Sequence, residues 1–344
     1  MSINPVEIPT GAVRYNTDSN KMEVYIGSTW MEVAVSTPNL AESTDTAAGT
    51  RGIWSGQAKW PSPSPYNSAE ISAVSLASQG NAFDFGDNTQ ARRGGGQCAS
   101  STRALLGGGY TSERVNTIDF VTISTTGSAA DFGDRTTVGN AVAAAGNQTR
   151  GVFHCGVTPS AVNIMDFVTI ASTGNAVDFG DAINTNSNYT GFGNPTRGIF
   201  GANGPNGELM FITYATTGNA VDFGNFRHGR TELPAGGSNS TRGIFAGGER
   251  QPSGTTVDTI DFHIIASLGG FVNFGDLTKV LRGAGGAASS TRLVIAGGSN
   301  PDAPNGYNTM EYVTFSTQGD AVDFGDLTAI KNTYNGTSNG HGGL

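Results

Sequence analysis

Apolar and polar residues alternate along this chain in short runs, and no stretch keeps apolar residues three and four apart for the length of a helix. Residues 116–123 (NTIDFVTI) and 257–265 (VDTIDFHII) are rich in valine, isoleucine, threonine and phenylalanine and are bounded by turn residues, which predicts strands. Residues 150–180 show the order most plainly: a strand at 150–155, a loop, a strand at 163–170, a Ser-Thr-Gly-Asn turn at 172–175 and a strand at 176–180. A looser segment leads on to the next Thr-Arg.

The order recurs. Thr-Arg-Gly-Ile-Phe-Ala-Gly-Gly at 241–248 is one copy of a unit whose arginines, Arg51, Arg103, Arg150, Arg197, Arg242 and Arg292, lie 45 to 52 residues apart. The Asp-Phe-Gly-Asp word keeps pace, with glycines Gly86, Gly133, Gly180, Gly224, Gly275 and Gly325 spaced 44 to 51 residues apart. Periods of this size mean propellers, arrays or helical solenoids. Glycine makes up 51 of 344 residues and only 14% are charged, which speaks against helical repeats. Units this small bury too little surface alone and must share a core. Four short strands per unit describe a propeller blade, and Gly-Gly after the first strand matches the kelch type. The expected fold is all-β: a six-bladed β-propeller over residues 50–344, with residues 338–344 (SNGHGGL) supplying a strand to the first blade and so covering its edge.

Residues 1–36 follow another pattern. Alternating runs at 12–16, 21–26 and 29–35 predict a three-stranded β-meander. It carries Val13, Tyr15, Met22, Val24, Tyr25, Trp30 and Met31 without the mass to cover them, so it is expected to anchor or oligomerise the chain, with Tyr15, Tyr25 and Trp30 as anchoring residues. A homo-oligomer follows, a trimer suiting a fibre tip. Residues 37–49 are polar and read as a linker.

Charge narrows the partners. A net charge of -9, with no basic cluster longer than Arg92-Arg93, argues against nucleic acid. No apolar run is long enough for a membrane helix, and residues 1–12 lack the pattern of a signal peptide. Cys98 and Cys155 fall at non-equivalent places in their repeats and are expected as small buried thiols. His154, His228, His263 and His341 share no zinc-type spacing, so neither metal nor cofactor is expected. Asp-Phe-Gly is also the metal-binding word of protein kinases, but six copies without a kinase catalytic loop exclude that reading.

The words NTIDFVTI, STTGSAADFGD and TRGIFAGG resemble the kelch-like repeat of virion structural proteins from tailed phages, especially those infecting marine cyanobacteria. Residues 8–17 (IPTGAVRYNT), with Glu23-Val24-Tyr25 and Gly27-Ser28-Thr29-Trp30, are similar to a short module of phage fibres and surface proteins. The resemblance covers nearly the whole chain and implies a virion protein serving host attachment or assembly, with no catalytic residue to carry over. It implies contact with other virion proteins through residues 1–36 and a host cell-surface glycan or protein as ligand. A capsid or tail decoration protein is the alternative, and a polysaccharide depolymerase a more distant one.

The six arginines and the first aspartates of the Asp-Phe-Gly-Asp words, Asp84, Asp131, Asp178, Asp222 and Asp323, are expected to join neighbouring strands by bidentate bonds, as structural glue reused in every blade; Asn273 fills the sixth place. The aspartates after glycine, Asp87, Asp134, Asp181, Asp276 and Asp326, are expected to organise the following turn. What varies is the loop after the first strand of each unit. These loops carry Trp60, Tyr66, Tyr110, Arg114, Arg250 and Tyr307, which form the expected recognition face. Met210 stands where other units have Asp119, Asp166, Asp261 or Glu311, so the fourth blade is expected to be distorted.

Overall fold

The short alternating runs fold as antiparallel strands, and no helix occurs among the described residues of the computed structural model, which are 9–16, 21–26, 28–32, 50–59, 67–154, 156–185, 187, 190–201, 207–231, 234–333 and 335–344. The chain divides into two compact units, Met1–Thr46 and Ala47–Leu344.

In the first unit Val13–Asn16, Lys21–Ile26 and Thr29–Glu32 form a meander. Its register sets Val13 opposite Val24 and Val24 opposite Met31, so these share one face with Tyr15. Arg14, Glu23, Tyr25 and Trp30 take the other face. There Arg14 bonds Glu23 at 2.8 Å and lies 4.2 Å from the centre of the Trp30 ring, which packs 5.3 Å from Tyr25. Tyr15 is thus parted from Tyr25 and Trp30, and the three anchoring residues do not make one surface.

In the second unit each repeat forms an antiparallel sheet, of four strands in the first five and of five in the sixth, where Ala58–Lys59 pairs with the outer strand. The third is Ala143–Gly146, Arg150–His154, Ile164–Thr169 and Val177–Asp181, in that spatial order. Equivalent sheets begin at the inner strands Gly96–Ala99, Thr190–Gly193, Ala235–Ser238 and Gly285–Ala288. The sheet of the first repeat takes its inner strand from the other end of the chain: Thr337–Ser338 pairs with Arg51–Trp54. Multiple four-stranded antiparallel sheets of this order are consistent with a β-propeller-like fold. The inner strands touch in series, Gly96–Ala99 meeting Ala143–Gly146 and so on through Gly285–Ala288, which meets Thr337–Ser338, which returns to Gly96–Ala99. Their residues are largely glycine, alanine and serine, as close approach of strands buried on both faces requires.

The sheets are cemented by the Asp-Phe-Gly-Asp word, which forms each outer strand. Its phenylalanine is buried and, from the second repeat on, meets an aromatic ring of the neighbouring strand edge to face: Phe120 and Phe132 lie 5.8 Å apart, Phe167 and Phe179 5.7 Å, Phe262 and Phe274 5.6 Å. The glycine lets the next repeat approach. Gly127 and Ala129 donate their N–H groups to the carbonyls of Phe85 and Asp87 at 2.8 and 2.7 Å, and the same pair of bonds recurs at each seam. At the last one Gly80 and Ala82 of the first repeat donate to Phe324 and Asp326 of the sixth. A Cβ on Gly133 would stand 2.5 Å from the Gly174 carbonyl oxygen, and one on Gly180 2.5 Å from that of Gly218, so glycine faces glycine across the seam.

The fourth sheet is not distorted at Met210. Glu208–Thr213 pairs with Val221–Asn225 with the same one-residue bulge found in the third and fifth sheets, and Met210 is buried in the core beside Phe200 and Tyr214.

Candidate functional site

The six repeated arginines each cross a seam, but they do not meet the aspartates Asp84, Asp131, Asp178, Asp222 and Asp323. Arg51 Nη1 donates to the Ile123 carbonyl at 2.8 Å, Arg103 to Ile170 and Ala171 at 3.0 and 2.9 Å, and Arg197 to Ile265 and Ala266 at 3.2 and 3.1 Å. Arg150 reaches the Tyr214 carbonyl, Arg242 that of Phe315, and Arg292 that of Ala77 at 3.3 Å. Each guanidinium also lies over an aromatic ring of its own repeat, Arg150 at 4.7 Å from Phe167 and Arg103 at 4.8 Å from Phe120. The aspartates stay exposed; the Asp84 and Asp222 carboxylates accept the N–H groups of Gly86 and Gly224. The reason is length: a carbonyl just beyond the neighbouring strand lies within the arginine's reach, while the outer-strand carboxylate points to solvent.

The second aspartates of the word do not organise a turn either. Their backbone N–H groups are bound by the next repeat, Asp134 by Asn175 Oδ1 at 2.9 Å, Asp181 by Asn219 Oδ1 and Asp326 by Asn81 Oδ1, both at 3.0 Å. The Asx acceptor therefore lies after the Thr-Gly turn and works across the seam.

A second latch uses the buried carboxylates. Asp119 accepts the Thr89 N–H at 3.0 Å and its hydroxyl at 2.7 Å; Asp166 accepts from Thr136 at 3.0 and 2.8 Å; Glu311 accepts from Thr278 at 2.8 and 2.6 Å. Buried arginines complete two of them, Arg92 at 3.0 Å from Asp119 and Arg135 at 3.1 Å from Asp166. Burial pulls the Arg92 guanidinium below its ordinary value, opposed by Asp119 and Asp131. Where Met210 replaces the carboxylate, Ile183 replaces the threonine, so both halves of the latch are lost together. Neither half stands out in a single repeat, because the partners lie about 30 residues apart in consecutive units; aligning the repeats on their glycines is the signal that pairs them.

The loops after the first strands lie at the end of the sheets opposite the Thr-Arg turns. Trp60 and Tyr66 lie outside the described residues. Tyr110 is half-buried, with Arg93 5.0 Å from its ring, and Arg93 in turn bonds Asn67 at 3.0 Å. Arg114 donates to Asn140 Oδ1 at 2.9 Å, and Lys279 lies 4.7 Å from the Tyr307 ring. Tyr110 and Arg114 pair in the second sheet, Tyr307 belongs to the sixth, and Arg250 lies in a separate small sheet with Arg230–Thr231 and Thr255–Thr256. Tyr110, Arg114 and Tyr307 are each engaged by a neighbouring side chain, and the described members do not form one aromatic patch.

At the opposite end a cavity of about 240 Å³ is lined by Thr50, Ser240, Ser289, Ser290, Gly340, His341, Gly342 and Leu344. His341 Nε2 donates to the Ala99 carbonyl at 2.8 Å and Nδ1 accepts the Gly343 N–H at 3.0 Å, the tautomer these partners require. Burial holds its imidazole down at about 4, with the Ala99 bond opposing, so both nitrogens are committed to structure. Cys98 is likewise a buried free thiol, pushed up to about 12 by burial, and Cys155 lies outside the described residues.

Compared with known proteins, the chain matches no family model and no curated protein sequence.

Proposed function

We propose that the six repeat sheets are the blades of a closed six-bladed β-propeller, and that the protein is a non-enzymatic structural protein of a phage virion displaying this propeller for host attachment. The observation carrying the reading is the division between what recurs and what varies. The recurring charged residues, Arg51 and its five equivalents with the latch carboxylates, are spent on bonds between neighbouring sheets. The loops at one end differ in length and chemistry from repeat to repeat, as a display surface requires. Ring closure is supported by the unbroken series of inner strands and by the bonds from Gly80 and Ala82 back to the sixth repeat. The first unit, with Val13, Tyr15 and Met31 each more than half exposed, suits docking to other virion proteins or to further copies of the chain. The resemblance of its words to those of phage surface proteins supplies the setting.

The test is a cryo-electron microscopy map of the purified particle together with binding of the isolated chain to host cells. Density at the end of a tail appendage, and cell binding that falls when Trp60 and Tyr110 are both replaced by alanine, is the expected result. Density spread over the capsid with no cell binding would replace attachment by decoration. Shortening of surface polysaccharide on incubation with the chain would overturn the non-enzymatic reading.

A further inference from the structure

At three seams one carboxylate is held with one close cation: Asp119 with Arg92 at 3.0 Å, Asp166 with Arg135 at 3.1 Å, and Glu70 with Lys331 at 2.7 Å. The seam between the fourth and fifth repeats departs from this. Arg227 stands where other repeats carry the latch threonine, reaching Asp261 Oδ1 at 3.5 Å and Asn273 Oδ1 at 3.2 Å. Arg230, buried, takes Asp261 Oδ2 at 2.6 Å and is further held by the Gly247 carbonyl and the Thr259 hydroxyl, both at 2.7 Å. The short strands Arg230–Thr231 and Glu249–Arg250 then pair so that Arg250 lies opposite Arg230. Glu249, beside it, is already bonded to Arg282.

Arg227 and Arg230 thus share Asp261, Arg250 lies opposite Arg230, and its half-buried side chain has no hydrogen bond or ion pair among the described residues. His228 is exposed next to Arg227; desolvation first, then Arg250 and Arg227, lower its imidazole below the ordinary value, against the pull of Asp261. Arg227 and Arg250 both act on Arg230 in this group on the variable-loop end, while Asp276 acts on Arg227. Guanidinium groups placed this way repel one another, and an anion between Arg227 and Arg250 would relieve the repulsion while offering oxygens to the Arg250 fork, which the described residues leave unfilled.

We propose that Arg227, His228 and Arg250 form a binding site for an oxyanion, a phosphate, sulfate or carboxylate group. Arg250 supplies the free fork, Arg227 the second cation from across the seam, and Arg230 with Asp261 the fixed floor. The site rests on charge and geometry and not on the attachment reading. If that reading holds as well, the oxyanion belongs to an acidic surface polysaccharide.

The test titrates the full chain with inorganic sulfate and with phosphate at low ionic strength, following the His228 ring resonances and the heat of binding, with chloride as control. Saturable binding that shifts His228, weakened about tenfold or more in Arg250→Gln and unchanged in Arg114→Gln on the same end, is expected, since a charge-assisted bond of this kind is lost in the first variant only. Arg250 makes no side-chain hydrogen bond or ion pair among the described residues, so the first variant should melt with the native chain. Absence of a saturable His228 shift with either anion, or undiminished binding by Arg250→Gln, would overturn the proposal. A sulfated or carboxylated oligosaccharide is then compared with a neutral one of equal length. Tighter binding of the acidic chain supports both the site and the attachment reading; binding of the free anions alone sustains the site and counts against its part in attachment.

Discussion

Asn339 Oδ1 accepts the backbone N–H of Arg51 at 3.0 Å, across 288 positions of sequence. Asn239 does the same for Arg242 at 2.7 Å and Asn194 for Arg197 at 2.8 Å, each from the turn that directly precedes the arginine. Ser338 repeats the part of Ser238, whose hydroxyl donates to the Gly193 carbonyl, by donating to that of Ala288. Residues 337–339 are therefore the missing start of the first repeat. Replacing Asn339 by alanine should cost about 1 kcal/mol, the scale of one hydrogen bond, seen as a small fall in melting temperature. Removing residues 335–344 should cost far more, because it uncovers the edge of the first sheet and the inner strands together. Equal melting of the shortened and full chains would show that the first sheet stands without its inner strand.

The glycine pairs make a sharper contrast. A methyl group on Gly133 collides with the Gly174 backbone of the neighbouring repeat, while the space around Gly174 itself is open and only its φ of 155° resists a side chain. Gly133→Ala should lose about 1–3 kcal/mol or more, the range of an overpacked interior site, and Gly174→Ala less. Chemical denaturation of the two variants decides the order; the reverse ranking would mean that the seam yields more easily than the turn.

Much of this architecture can be read along the chain. The second strands stand out as short apolar runs after an arginine, such as Gly-Ile-Phe-Ala at 243–246, the outer strand is marked by Asp-Phe-Gly-Asp, and the strand expected from residues 338–344 for the first sheet lies at Thr337–Ser338, one residue earlier and shorter. The inner strands are harder, because Gly-Gln-Cys-Ala at 96–99 and Ala-Gly-Gly-Ser at 235–238 are buried on both faces and too small to alternate. The arginines are recognisable as glue, whereas their partners are not, since a backbone carbonyl such as that of Ile123 leaves no mark in sequence. The partners of the loop aromatics are hidden for a related reason: Tyr110 and Tyr307 look free in sequence, yet Arg93 and Lys279 come from connections between sheets to lie against them.

The joint loss of carboxylate and threonine at the seam of the third and fourth repeats can be reversed. Met210→Asp alone places a buried carboxylate without its donors and should destabilise strongly, by several kcal/mol. Ile183→Thr alone changes a residue that is 41% exposed and should cost little. Combined, the two should recover about 1–2 kcal/mol as the introduced threonine supplies the N–H and hydroxyl bonds that Thr136 gives Asp166. Urea unfolding of all four chains of the cycle measures the coupling, and additive costs would show that the latch needs more than its two side chains.

Acid should act through the buried histidines before it acts through the carboxylates. Burial, and after it Arg135, pushes the His154 imidazole down to about 3, and burial holds His341 at about 4, against an ordinary value of 6.5. Between pH 6.5 and those values the unfolded chain binds protons that the folded chain refuses, so unfolding gains as pH falls. The stability linked to these groups is complete above about pH 6.5, declines through the interval, and is spent once the pH has passed the folded values. Each histidine contributes a slope approaching about 1.4 kcal/mol per pH unit within its window. Melting temperatures measured from pH 7.5 to 5 should fall, and His341→Gln, whose amide can donate to the Ala99 carbonyl without titrating, should flatten the fall. An unchanged slope in that variant would mean that His341 is protonated in the folded chain at these pH values, and that its bond to Ala99 outweighs burial.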